Sequence, residues 1–192
     1  MAGVPIGLSD VYYVKMTDDQ PGGTTTYEAT PKRLAGAITA NINPNASLET
    51  LFADNGPFDA AASLGQIEVE LSVADIPLEA QADLLGHAPP VKGILERKAS
   101  DTPPWIALGF RALKSNGKYR YVWLLKGKFS QPEQNHETKG ESVSFQPPTI
   151  RGSFVQRESD GKWQRVADED APDFDPSIVT GWFTDPDFEP TT

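Results

Sequence analysis

IEVELSV, residues 67–73, decides the fold class. Ile67, Val69, Leu71 and Val73 alternate with Glu68, Glu70 and Ser72. Successive side chains of a strand point to opposite faces, so one face here is core and the other is wet or at an interface. Upstream, RLAGAITANI (33–42) has the same period of two, with Leu34, Gly36, Ile38, Ala40 and Ile42 on one side. Between the two lies 43–64, too long for an ordinary connection and too apolar to be disordered. Leu48, Leu51, Phe52 and Phe58 surround Asp54-Asn55-Gly56, and Asn-Gly is a favoured two-residue hairpin turn. The segment reads as an extended hairpin that leaves the domain body.

Further strand signals flank this unit. DVYYVKM (10–16) is β-branched and aromatic, and a Gly/Pro-marked loop (17–27) follows it. After 73, Asp75 is placed as an N-cap with Pro77 in the first turn. Leu78, Ala82 and Leu85 recur at helical spacing and Gly86 stops the run, which predicts one short helix over 76–85. Strands are expected at 91–97, 106–113 and 118–129, the last two joined by Ser115-Asn116-Gly117-Lys118. A last hairpin is expected from 148–157 and 162–166 around Asp160-Gly161. Residues 167–176 read as an acidic, Pro-broken linker, and 177–183 (SIVTGWF) as an apolar hook that docks on its own chain or the next.

The chain has 192 residues, 16 Gly, 17 Pro and no Cys. It is long enough to bury a core without staples. Lack of Cys excludes disulfides, thiol nucleophiles and thiolate metal sites. No apolar run is long enough to span a membrane, and no signal peptide is visible at MAGVPIGLSD. Net charge is −10, which argues against tight phosphate binding. The charge is uneven: residues 92–128 hold 9 basic and 2 acidic side chains, while 1–91 hold 3 and 12. Either these charges pair within the fold, or basic groups such as Lys114, Lys118, Arg120, Lys126 and Lys128 meet acidic surface on another copy. Such contacts would be salt-sensitive.

Catalytic constellations are not evident. His87 and His136 lack a second ligand at metal spacing. Glu68 and Glu70 share a strand face, as a carboxylate pair would, but so does any exposed strand face. The run Asp168-Glu169-Asp170, Asp173 and Asp175 lacks the Gly and closing Glu of a calcium loop. Tyr119, Tyr121 and Trp123 share one face of one strand, which offers a stacking platform or a core.

GLSDVYY (7–13), LAGAITANINPN (34–45), ETLFADNGP (49–57), IEVELSVADIPLEAQADLLGH (67–87), ALGFRALKSNGKYRYVWLLKGKF (107–129) and TIRGSFVQRESDGKW (149–163) resemble, in order and wording, the major tail (tail tube) proteins of long, non-contractile-tailed phages of Gram-positive bacteria. The resemblance implies a mainly β fold: a β-sandwich or partly closed barrel of two packed antiparallel sheets with a flanking helix. It implies an N-terminal arm (1–9), a tube domain (10–167) with a stacking hairpin (43–64), and a C-terminal arm (168–192) making contacts through Ile178, Val179, Trp182 and Phe183. Rings of six copies would stack into a hollow tube through which DNA passes. Partners would be other copies, the tape measure protein, the tail initiator or distal tail proteins and the tail terminator, with no membrane, cofactor, metal or catalytic residue. The place would be the virion tail, with assembly in the host cytoplasm. Glu68 and Glu70 are the leading candidates to face the lumen, where carboxylates repel phosphate. Competing readings are a carbohydrate-binding or adhesin module on the Tyr119/Tyr121/Trp123 face, a two-carboxylate glycosidase, and the tube protein of a contractile injection or secretion machine.

Overall fold

The computed structural model describes residues 3–53, 56–132 and 146–190, and of 51–53 and 56–61 the backbone alone. Among them are nine strands, β1 (Pro5–Asp18), β2 (Thr26–Tyr27), β3 (Lys32–Leu34), β4 (Ala37–Ala53), β5 (Gly56–Val73), β6 (Ile106–Lys114), β7 (Tyr119–Phe129), β8 (Thr149–Phe154) and β9 (Gln164–Asp168). Two helices, α1 (Leu78–Leu85) and α2 (Ser177–Gly181), complete the set. Every strand pairing is antiparallel. The order is β2-β1-β6-β7-β8-β5-β4, with β3 also on β1 and β9 also on β7.

The sheet divides at β7. Arg120 to Leu124 pair with β9, whereas Gly127 to Phe129 pair with β8. One strand thus belongs to two walls, β1-β6-β7-β9 and β7-β8-β5-β4. Val11, Tyr13, Leu108 and Leu124 from the first meet Ile67, Val69, Leu71 and Phe154 from the second in one core. Ile76, Leu84 and Leu85 of the α1 region pack into the same core. The alternation of 67–73 therefore gives the expected buried face, and the mainly β, two-layered architecture agrees with the sequence reading.

Several local expectations give way to backbone geometry. The strand expected over 33–42 is two strands, because Gly36 at φ 78° turns the chain from β1's edge to β5's. The helix starts after Pro77, and no side chain caps it, Asp75 included. Gly86 ends it at φ 74°, as expected. Instead of a strand over 91–97 there is a single Val91–Ile94 bridge, since Lys92 and Gly93 both take left-handed φ. β8 and β9 do not pair with each other; each takes a different stretch of β7. Residues 5–9 open β1 and are paired with β6.

Two glycines of this framework sit beneath aromatic rings. A Cβ at Gly127 would lie 2.4 Å from the Phe154 ring, and one at Gly109 would lie 2.7 Å from that of Trp123. Neither ring can retreat, because both are fully buried. Gly127→Ala is expected to cost about 2 kcal/mol through overpacking, read as a lower urea midpoint with unchanged slope.

Candidate functional site

The second wall has one uniformly polar face. Register places Thr39, Ser72 and Thr149 in one row across β4, β5 and β8. Asn41, Glu70 and Arg151 form the next, and Asn43, Glu68, Ser153 and Lys128 the third, which extends onto β7. Opposed residues in an antiparallel pair point the same way, so these rows form one surface. It encloses a shallow cleft of about 650 Å³. The Arg151 guanidinium donates to Glu70 Oε1 at 3.1 Å. Glu68 is exposed. Two carboxylates and two cations among the lining residues leave the cleft charge-balanced. Arg151 and Lys128 were not assigned to this face by sequence reasoning. The alternation Thr149, Arg151, Ser153 against Ile150, Gly152, Phe154 carries the signal for Arg151.

Beyond this wall β4 and β5 continue as a two-stranded ribbon. Residues 43–50 and 62–66 are exposed on both strands. Pairing runs to Ala53 opposite Gly56. Asp54 and Asn55 lie outside the described residues, as do the side chains of Leu51, Phe52 and Phe58. Leu48 is 72% exposed. The ribbon therefore has no cover within its own subunit over the described side chains. On its outer edge β4 pairs with no described strand.

The expected linker and hook lie against their own subunit. Tyr121, Trp123, Val14, Ala107 and Leu125 form a second core with Ile178 and Trp182. Phe183 stacks on Tyr12 at 4.7 Å, and Trp123 Nε1 donates to the Trp182 carbonyl at 2.8 Å. Val179 is the exposed member of the four. This covering corrects the stacking-platform reading: Tyr121 and Trp123 are fully buried and open to no sugar.

The basic candidates also find partners at home. Buried Lys114 donates to Asp168 Oδ1 at 2.7 Å and to Asp170. Lys118 pairs with Asp170 at 3.2 Å, and Arg120 holds Asp168 Oδ2 at 2.7 Å. Buried Lys126 bonds Asp19 and Glu158 at 2.7 and 3.0 Å. Lys128 lies 4.5 Å above the Trp105 ring. The physical reason is local supply: the acidic turns at 19 and 168–170 reach these cations within one chain. His87 is buried between Asp101 Oδ2, at 2.7 Å, and Gln131, at 3.0 Å. His136 lies outside the described residues. Among the described residues no group of three or more His, Asp or Glu is placed to hold a metal ion, and no helix is long and apolar enough to cross a membrane.

Among the described residues, an open polar sheet face, an uncovered ribbon and an unpaired strand edge are features of a subunit made to meet copies of itself. A family model for phage tail tube proteins matches residues 3–180. The chain belongs to the phage tail tube protein family. No curated protein sequence matches it. A tail tube protein is a structural protein of the virion tail, and it assembles with its own kind and with other tail proteins.

The tail tube protein's ion pairs carry a pH signature. Burial opposes the Asp168 carboxylate, but Lys114, the Asp170 N–H and Arg120 outweigh it and bring the carboxyl down to about 2. Asp19 is lowered in the same way: burial works against ionisation, and bonds from the Glu158 N–H, Lys126 and Ser159 overcome it. Depressed carboxylates stabilise the fold above the unfolded value near 4 and lose that contribution as pH falls through the folded value. The urea midpoint should hold down to about pH 4 and fall steeply towards about pH 2. Trp182→Ala should cost about 3 kcal/mol if the C-terminal segment is part of each subunit's own fold, measured on the monomer by denaturant titration.

Proposed function

We propose that six copies close into a ring in which the polar β4-β5-β8 face lines the bore, and that rings stack through the β4–β5 ribbon into a tube that conducts DNA. The observation that carries this reading is the second wall itself, apolar inside, polar on every row outside, and ending in an edge that no described strand pairs. An unpaired edge is an aggregation hazard unless a neighbour completes it, and a closed ring removes every such edge. Head-to-tail stacking does not close, so it yields a tube rather than a particle.

A conduit for a polyanion must not hold it. Phosphate affinity grows with each uncompensated Lys or Arg. Here Arg151 is engaged by Glu70, and Glu68 shares a row with Lys128. Such a surface offers DNA no ladder of free cations. Glu68 and Glu70 are the proposed lumen carboxylates. The segment resemblance favours the major tail protein of a long, non-contractile tail on a Gram-positive host, made in the host cytoplasm and meeting the tape measure, initiator and terminator proteins there. Val179 and the 43–64 segment, with Leu48, Leu51, Phe52, Asp54, Asn55, Gly56 and Phe58, are the proposed inter-ring contacts. Lys118 and Arg120 keep enough exposure to add salt-sensitive contacts between copies.

Cryo-electron microscopy of assembled tubes at low and high salt tests the proposal. Hollow tubes with Glu68, Glu70 and Arg151 on the bore are expected; a bore of unpaired Lys and Arg, or both glutamates on the outer wall, would reject it. Deleting residues 51–58, or combining Phe52→Asp with Phe58→Asp, should leave a folded subunit that does not stack. Its melting temperature should move by less than about 3 °C, whereas loss of the fold would assign the ribbon to the core.

A further inference from the structure

The 86–105 connection carries a second projecting feature. Val91 and Ile94 exchange both backbone hydrogen bonds, each at 3.0 Å. Lys92 at φ 52° and Gly93 at φ 80° close the tight turn between them. Positive φ at both central residues marks the turn that best fits a right-twisted hairpin. For Lys it is a conformation that needs a structural reason. The opposed pair points to one side, and both members stand in solvent, Val91 at 68% and Ile94 at 65% exposure. Two rigid apolar side chains on a preformed turn lose little freedom on docking.

The ribbon offers the matching half. Register sets Ala46 opposite Leu64 and Leu48 opposite Ala62, so these four side chains share one face. Along β4 they continue the parity of Ala40 and Ile42, which pack on the core. The core face of the sheet thus runs on past the end of the core, with Leu64 at 42% exposure. Charge agrees as well. Residues 43–64 hold Glu49, Asp54 and Asp59 with no Lys or Arg, whereas 91–98 hold Lys92, Arg97 and Lys98 against Glu96. Register puts Glu49 on the ribbon's other face, so the opposite net charges of the two segments speed encounter while the apolar pairs form the contact itself.

We propose that the Val91–Ile94 turn is the receptor on one copy for the Leu48/Leu64 face of the ribbon from a second copy in the neighbouring ring. The proposal rests on ribbon stacking and names where the ribbon lands.

The absence of Cys makes the test clean, because introduced thiols have no competitors. Tubes are prepared from purified protein carrying Leu48→Cys with Ile94→Cys, or as tails from virions encoding the same variant where assembly needs the initiator. After oxidation, a ladder of covalently linked subunits on a non-reducing gel is expected, with either single variant giving at most dimers. Disulfides form only when Cβ atoms come within about 4 Å, so tubes that contain only unlinked subunits would overturn the contact. Independently, Val91→Asp with Ile94→Asp should lower tube yield at least about tenfold at equal protein concentration, while the melting temperature stays within about 3 °C of the parent. Unchanged yield would overturn the receptor alone. Stacking that survives deletion of 51–58 would instead overturn the ribbon reading on which it rests.

Discussion

Strand β7 has no wet face between Tyr121 and Gly127, and that burial constrains the rest of the molecule. Val122 and Leu124 look into the core shared with β5 and α1, while Tyr121, Trp123 and Leu125 look the other way. A strand apolar on both sides must be covered twice. The first cover is the second wall of the sheet. The second is the C-terminal segment, whose aromatic rings from Phe174 to Phe188 reach the outer face of β6 and β7. Because β7 also lends its far end to β8, the polar wall is built onto the same strand that both covers hold in place. A proposed lumen surface is thereby tied to a strand buried on both faces rather than to loops.

Electrostatics follow from the same arrangement. The strongly basic middle of the sequence lies largely on β6 and β7, and the acidic turns before β2 and after β9 come back to meet it. Lys114 and Lys126 are buried, and each is met by two carboxylates. Breaking such a buried set leaves an uncompensated charge, which costs far more than loss of a surface pair. These cations are therefore spent on the fold. The exposed cations Lys118, Arg120 and Arg151 are each held by a carboxylate of the same chain, and the polar wall balances its own charges.

Much of this was legible in the residues, and the boundary is physical. Periodicity records which face a side chain takes, so the 67–73 alternation and the Asn116-Gly117 hairpin could be read directly. It does not record which strand lies alongside. Hence 148–157 and 162–166 suggested one hairpin, although each half binds a separate stretch of β7. Gly36 sat in register with an apolar face and concealed a turn, because glycine fits both. Residues 91–97 had strand-like composition, but Lys92-Gly93 imposed a turn too tight for strands to grow from it. The acidic run at 168–170 looked solvated since its partners, Lys114 and Arg120, lie about fifty residues away in sequence. The ribbon announced itself by its length, its apolar residues and its Asn55-Gly56 turn, and which of those residues share a face appeared only once register was known.

The second cover of β7 has a consequence in time. Protein synthesis is vectorial, and every strand of the sheet emerges before residues 174–188 do. Until then Tyr121, Trp123 and Leu125 face solvent on a nascent chain that already has its sheet, its ribbon and its free edge. Premature termination near residue 170 would release a sticky, nearly complete subunit. The 174–188 segment thus separates a chain with an open aromatic face from a subunit whose second core is closed.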